Sequence, residues 1–328
     1  MTDRLKWAAS RILKSPSTPA VVLFIVASLF VKFFTSANFN WNYVVSFINS
    51  NIAVLCLCIG EAVVIISGGI DISLGGILSM CNVLLVIMMK NGMPMTAAIL
   101  IMLAVSVLAG LVNGFMVSVL KVTPLLTTYA TSIVYCGLAL VISRTPVYLK
   151  KFTLSAFYKY RIFGFIPSSL CFVLLLYILW KIYKKSTGGI KLYAIGANEK
   201  SAVISGVNVV GIKLFSYAFA GFSAGIGALA ITCMIQGGDP KIGVNMPMTA
   251  ISAVVIGGVS LSGGSGDVGG GLFGDLFLVM LSNIIVFWGI NTFWQELLRT
   301  LILLASVVVT TLLTVREVKK PKGGKRLC

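Results

Sequence analysis

The feature that most constrains this chain is a series of apolar segments separated by short polar ones. They lie at 20–36, 43–66, 77–89, 94–119, 124–142, 168–183, 214–235, 248–262, 271–289 and 293–314. A hydrocarbon core about 30 Å thick takes about 20 helical residues per crossing. The sequence of 328 residues therefore predicts an all-α, polytopic integral membrane protein of about ten transmembrane helices, with no large soluble domain.

Composition excludes several other classes of protein. The chain is 58% hydrophobic and 11% charged, against about 45–50% and 25% in soluble domains. Disordered chains, secreted disulfide scaffolds and nucleic-acid-binding modules do not have this balance. Seven cysteines without paired spacing, and no histidine, argue against a zinc site. We expect no catalytic residue, no metal and no cofactor.

The basic residues predict the orientation in the cell membrane. Lys and Arg number 26 against 9 Asp and Glu, and they cluster in the N-terminal tail, in a central stretch and in the C-terminal tail. Basic residues near span ends mark the cytoplasmic side. We therefore expect a cytoplasmic tail at 1–19, a transmembrane domain at 20–314 with a cytoplasmic loop at 184–213, and a basic cytoplasmic tail at 315–328. Lipids, and no nucleic acid, are the expected partners of these charges.

One basic segment conflicts with that rule. Residues 143–167 carry five Lys and Arg, yet an even number of spans places them outside. Their aromatic residues suit a segment lying along the membrane surface, and the other basic blocks are stronger, so the outside placement is kept.

Two glycine-rich runs interrupt the apolar pattern, at Ser67–Gly76 and Ile256–Gly264. They predict a weak internal repeat in parallel orientation, with spans one to four resembling spans seven to ten. Interrupted segments in corresponding positions of two halves point to a transport path. The candidate path and gate residues are Glu61, Gly68, Gly69, Asp71, Ser73, Gly257, Gly258 and Ser260.

The polar members of this set have structural and functional interpretations. Asp71 and Ser73 can each cap the following helix, or contact a solute, or serve in helix movement. Glu61 is an intramembrane carboxylate, suited to a structural hydrogen bond or ion pair, or to a solute or proton role. The remaining acidic residues are expected in loops or at helix ends; they include Asp239, Asp267, Asp275 and Glu296.

At these positions the chain resembles a known family, the ribose-type permeases of ATP-binding-cassette importers. The similarity covers nearly the whole chain and is carried by Val63–Gly75, Phe34–Phe39, Gly196–Val209 and Ala250–Gly266. The sequence departs from the family pattern at Glu61, at Met246-Pro247-Met248 and at Asp267. These departures leave the solute open.

The resemblance implies a permease subunit that works by alternating access and passes a small polar solute, in first place a monosaccharide. It implies a second permease copy or paralogue, ATPase subunits on the cytoplasmic side and a solute-binding protein outside. A short helix from Glu199 to Val209 would then couple the permease to the ATPase. The implied coupling residues are Asn198, Glu199, Lys200, Ala202, Ser205 and Gly206; a basic connecting loop is the alternative.

Rival functions remain open. The same machinery could serve a nucleoside, a branched-chain amino acid or a furanone-like signal. An ion-coupled secondary transporter is a further alternative, disfavoured by the scarcity of carboxylate pairs. The chain has no GxxxxGK[ST] phosphate loop, so we expect ATP hydrolysis in a separate partner chain.

Overall fold

The computed structural model describes residues 17–34, 40–150 and 153–289, together with five residues between 294 and 304. The first five helices are α1 (Thr18–Phe34), α2 (Trp41–Ile66), α3 (Leu74–Lys90), α4 (Met95–Ser118) and α5 (Pro124–Ile142). There follow β1 (Val147–Tyr148), α6 (Thr153–Lys159), β2 (Arg161–Ile162), β3 (Ile166–Pro167), α7 (Leu170–Lys185), α8 (Thr187–Ala197) and α9 (Glu199–Ile204). The last described elements are α10 (Val209–Ile235), β4 (Gly237–Gly238), α11 (Met246–Ile256) and α12 (Val268–Phe287).

The architecture is the predicted all-α membrane protein. Nine of the ten apolar stretches coincide with helices α1–α5, α7 and α10–α12. Five helices, α2, α4, α5, α10 and α12, are long and apolar enough to cross a membrane. The tenth stretch, 293–314, and most of both tails lie outside the described residues, so the count of ten stays a prediction.

Helices α2 and α10 form the centre of the bundle. They pack against each other, and α10 also packs along α4 and α3. Small residues make this possible, because a Cβ on Gly110 of α4 would lie 2.2 Å from the carbonyl oxygen of Tyr217 on α10. Membrane helices use such residues to bring their backbones together.

The bundle has two distinct ends, which α2 connects over its 26 residues. At the end we call the aromatic end, the Trp41 indole donates to the carbonyl oxygen of Phe165 (2.8 Å). Strands β1 and β4 pair there in antiparallel fashion, Val147 opposite Gly238. At the other end, which we call the glycine end, Gly196 touches Ile66. The basic segments 143–167 and 184–213 therefore lie at opposite ends.

Candidate functional site

The first glycine break, Ser67–Ser73, ends α2 in a tight turn. The backbone nitrogens of Gly68 and Gly69 donate to the carbonyl oxygens of Ile65 (2.9 Å) and Val64 (3.0 Å). Gly68 has a φ of +86°, in the left-handed region that glycine enters without a Cβ penalty. The turn therefore satisfies the last carbonyls of α2 and redirects the chain towards α3.

The second glycine break, Gly257–Gly266, repeats this turn at the end of α11. Gly258 donates to the carbonyl oxygen of Val255 (2.9 Å), and Val259 donates to that of Val254 (3.2 Å). Gly258 also has a φ of +86°. The two runs that the sequence pairs as an internal repeat thus share one backbone turn.

The two breaks meet at a set of glycines that we call the glycine junction, formed by Gly68, Gly196, Gly263 and Gly264. A Cβ on Gly196 would lie 1.8 Å from the carbonyl oxygen of Ile66 and 2.4 Å from the nitrogen of Gly264. Gly264 itself donates to Ile66 (2.9 Å). No side chain separates these backbones, so the end of α8 packs directly on both breaks.

Three of the predicted path residues form a hydrogen-bonded cluster beneath the first break. The Asp71 backbone nitrogen donates to Glu61 Oε1 (3.2 Å). Asp71 Oδ1 accepts from the backbone nitrogen (2.9 Å) and the hydroxyl (2.6 Å) of Ser73, and Asn113 Nδ2 donates to Ser73 Oγ (2.6 Å). Asp71 thus accepts a backbone hydrogen bond at the start of α3. The prediction that the Ser73 side chain also caps α3 is wrong, because its hydroxyl accepts no backbone N–H of that helix.

The cluster is buried and rich in acceptors. Glu61, Asp71 and Asn113 are fully buried, and neither carboxylate forms an ion pair with a described residue. Glu61 Oε2, Asp71 Oδ2, Asn113 Oδ1 and the Tyr217 hydroxyl have no hydrogen-bond partner in the described part of the chain. The structural hydrogen bond expected of Glu61 is confirmed by its contact with the Asp71 nitrogen. The Glu61 side chain has no exposure to solvent.

The other path candidates lie in the second break. A Cβ on Gly257 would lie 2.3 Å from the carbonyl carbon of Gly270, so α11 and α12 meet backbone to backbone. The Ser260 hydroxyl accepts from the Ser262 nitrogen (3.2 Å) within the turn. Their surroundings are therefore those of a packed turn.

The acidic residues outside this set are in mixed positions. Asp239 lies in the loop after β4 and Asp267 directly precedes α12, as expected, and Glu296 is outside the described residues. Asp275 is fully buried within α12, so its expected position at a helix end is wrong. The many glycines around Asp275 suggested a turn, but the three that follow Val268 at the start of α12 are helical.

Asp267 joins α12 to the end of α7. Its carboxylate lies 2.6 Å from Lys184 Nζ and 3.6 Å from Lys181 Nζ. Burial alone would raise the pKa of Asp267, but the hydrogen bond from Lys184 and the charges of both lysines hold that pKa below its ordinary value. The carboxylate is therefore ionised at neutral pH and ties the second break to the lysine-rich segment.

The predicted coupling helix is shorter than the sequence suggests. Helix α9 ends at Ile204, and α10 begins at Val209. The nitrogens of Gly206 and Val207 donate back to Val203 and Ala202 (both 3.0 Å), which closes a turn where the prediction continues the helix. The predicted loop 184–213 is thus mostly helical.

Helix α9 is held firmly at its base. Asn198 Oδ1 caps it by accepting from the Ser201 nitrogen (3.0 Å), and Lys213 Nζ lies 2.6 Å from the Glu199 carboxylate. Ala202 is buried against Ile195. Of the implied coupling residues, Ala202 is therefore covered by the protein's own chain, whereas Ser205 and Gly206 are exposed.

The exposed part of α9 is apolar, and the sequence reasoning missed it. Ile204 is 87% exposed and Val203 is 58% exposed, beside exposed Lys200, Ser205 and Gly206. We call Val203 and Ile204 the α9 tip. Two adjacent β-branched residues within a lysine-rich segment were the available signal.

Comparison with known proteins finds a family whose sequences match this chain. The model of a family described as the permease component of branched-chain amino acid transport systems matches residues 42–307. A ribose import permease of Bacillus subtilis is 33% identical over 77% of this chain and 80% of its own length. A ribose import permease of Haemophilus influenzae is 29% identical over 80% of this chain and 82% of its own.

A third relative is named for the transport of a different compound. The autoinducer 2 import system permease of Salmonella choleraesuis is 31% identical over 77% of this chain and 74% of its own length. No solved structure matches the chain.

Proposed function

The chain belongs to this family of transport-system permease components, and from that premise we propose that it is the permease subunit of an ATP-driven monosaccharide importer. As a permease component it is a non-catalytic, multi-pass membrane subunit. Its solute would cross by alternating access between two permease copies or a copy and a paralogue. The names of the ribose and autoinducer 2 relatives support a small polyhydroxylated solute.

The α9 tip is the observation that carries the coupling role. Val203 and Ile204 are adjacent exposed apolar side chains rimmed by polar residues, the arrangement of a protein-interaction surface, and the polar neighbours Lys200 and Ser205 argue against burial in lipid. The glycine junction directly precedes this helix, since Gly196 lies two residues before Asn198. Force applied to the tip by an ATPase would therefore reach both breaks through backbone contacts.

The same placement supports a cytoplasmic glycine end. The lysine-rich stretch around α8 and α9 lies there, and segments rich in Lys and Arg mark the cytoplasmic side. Both tails would share that side, with the solute-binding protein docking at the aromatic end. The predicted coupling residues then divide into two groups. Asn198, Glu199 and Ala202 position α9, whereas Lys200, Ser205 and Gly206 are exposed.

The first test is transport by the reconstituted complex. The permease, purified with its ATPase and solute-binding protein into liposomes, should take up ribose when ATP is supplied. Uptake of leucine instead would favour the branched-chain amino acid alternative, which the family description raises. Uptake by the permease alone under an ion gradient would refute the importer.

The second test addresses the α9 tip. Ile204→Glu should weaken binding of the ATPase about tenfold, equivalent to about 1.4 kcal/mol, and reduce solute-stimulated ATP hydrolysis. The folded permease should be unaffected because the side chain is exposed. Leu261→Glu is a matched control, since Leu261 is an exposed apolar residue (47%) at the same end of the bundle. Equal binding by wild type and Ile204→Glu would refute the coupling role.

A further inference from the structure

A polar cleft lies between α2 and α12 towards the aromatic end. It has a volume of about 310 Å³ and is lined by Tyr43, Ser46, Phe47, Ser50, Asn51, Val279 and Asn283. The α2 residues recur at every third or fourth position, so they form one stripe along the helix. We call this site the Tyr43 cleft.

The stripe has the wrong chemistry for contact with lipid. Ser46 and Ser50 are exposed, and Asn51 and Asn283 are partly exposed. The Ser50 hydroxyl donates to the carbonyl oxygen of Ser46 (2.9 Å), which leaves its lone pairs free to accept, and a hydroxyl or amide group without a hydrogen-bond partner costs several kcal/mol in hydrocarbon. Polar side chains on membrane-spanning helices accordingly face protein or a water-filled path.

The cleft is preorganised and neutral. Asn283 Nδ2 donates to the Tyr43 hydroxyl (2.9 Å), and Asn51 Nδ2 donates to the carbonyl oxygen of Phe47 (2.6 Å). Both amide groups are thereby fixed, and their Oδ1 atoms accept no hydrogen bond from a described residue. The Tyr43 and Phe47 rings stack with centroids 6.3 Å apart and an interplanar angle of 20°.

These features select the class of ligand. Fixed amide oxygens and hydroxyls bind the hydroxyl groups of an uncharged solute, and aromatic rings cover its C–H faces. No lining residue carries a charge, so an amino acid's ammonium and carboxylate would find no counter-charge. The volume is at the lower end of the roughly 300–1,000 Å³ typical of small-molecule pockets, which suits a small solute.

We propose that the Tyr43 cleft is a solute-contacting wall of the transport path and binds a neutral monosaccharide or polyol through its hydroxyl groups. The assignment rests on the proposed importer function. It also connects binding to movement, because Ser50 and the first glycine break lie on one helix, about 24 Å apart. A tilt of α2 driven at the break would move the cleft.

Transport kinetics test the ligand contact. In the reconstituted complex with ribose as the probe, Asn283→Ala should raise the KM for uptake about tenfold, the effect of losing a hydrogen bond to solute. Ser50→Leu should fill the cleft and abolish uptake. Asn42→Ala is the matched control, because Asn42 is exposed in the same part of α2 but outside the cleft. Wild-type kinetics in both cleft variants would overturn the proposal.

Thiol accessibility tests the cleft without relying on transport. A water-soluble maleimide should label Ser50→Cys in the membrane-embedded protein and spare Val112→Cys on the apolar surface of α4. Both are made in a background in which Ala replaces Cys136, Cys171 and Cys328. An unreactive Ser50→Cys overturns the proposal that the Tyr43 cleft lines the transport path, even if ribose uptake succeeds. A reactive Ser50→Cys in a complex that moves no sugar refutes the importer and, with it, the cleft as a sugar site.

Discussion

The two glycine breaks make the same turn but are secured in different ways. Ser67 in the first break has room for its side chain, and its hydroxyl donates to the carbonyl oxygen of Val64 (2.7 Å). Gly257 occupies the corresponding position in the second break, where a Cβ would lie 2.3 Å from the backbone of Gly270. The first turn has room for a side chain at this position, whereas the second is pressed against α12.

Their polar chemistry differs as well. Counting from the shared turn, Glu61 and Asp71 correspond to Ile251 and Leu261. The first break therefore sits on a buried polar cluster, and the second on an apolar helix and a glycine contact. The backbone turn, fixed by one left-handed glycine, is therefore the feature that both halves of the repeat share, while the side chains around it differ.

The largest effect is expected when the second break is given the residue of the first. Gly257→Ser should destabilise the protein by about 3 kcal/mol, because overpacking forces the backbones of α11 and α12 apart. Thermal unfolding in detergent, followed by tryptophan fluorescence, measures the loss.

The reverse exchange is its control. Ser67→Gly removes one hydrogen bond, worth about 1 kcal/mol, and leaves the turn intact. Equal destabilisation by both variants would mean that the two breaks are secured alike.

A medium effect is expected at the carboxylate of the first break. Glu61→Gln keeps an acceptor for the Asp71 nitrogen and replaces an ionisable group by a neutral amide in the buried cluster, so its unfolding temperature should equal or exceed that of wild type. Glu61→Ile, the residue of the second half, leaves that nitrogen unpaired and should be less stable than Glu61→Gln by about 1–3 kcal/mol. A large loss of stability in Glu61→Gln would reveal a cationic partner for the carboxylate.

The smallest effect concerns the ion pair that ties α12 to α7. Because the pKa of Asp267 is lowered in the folded protein, its contribution is present above the unfolded pKa of about 3.9. It is lost as the pH falls through the lower folded-state pKa. Asp267→Asn should cost about 0.5–1 kcal/mol at pH 7. Melting curves at pH 3 to 7 should show this difference shrinking only below about pH 4; a difference that vanishes near pH 6 would contradict it.

Much of the fold was accessible from the sequence because hydropathy determines membrane helices. The two glycine breaks were also predictable, since glycine runs such as Gly68-Gly69 interrupt apolar segments visibly; that their residues line a solute path stays a prediction. Most of what failed depended on tertiary contacts. The sequence cannot show that Ala202 packs on Ile195 or that Asp275 is buried within a helix. The glycine junction was missed for the same reason, because Gly196 is distant in sequence from both breaks. The Ser73–Asp71 hydrogen bond is local, and it replaces the capping interaction predicted for Ser73.

The short helix α11 has a consequence for how the protein is made. Its 11 residues span about 16 Å, half of a hydrocarbon core of about 30 Å. Its main contacts are with α12, which is synthesised directly after it, and with α2, which is synthesised long before. Such a segment cannot enter the bilayer by itself. A half-length helix needs neighbours to cover its ends, so α11 should insert together with α12 against α2, and a chain truncated after α11 should be less stable in the membrane than the full chain.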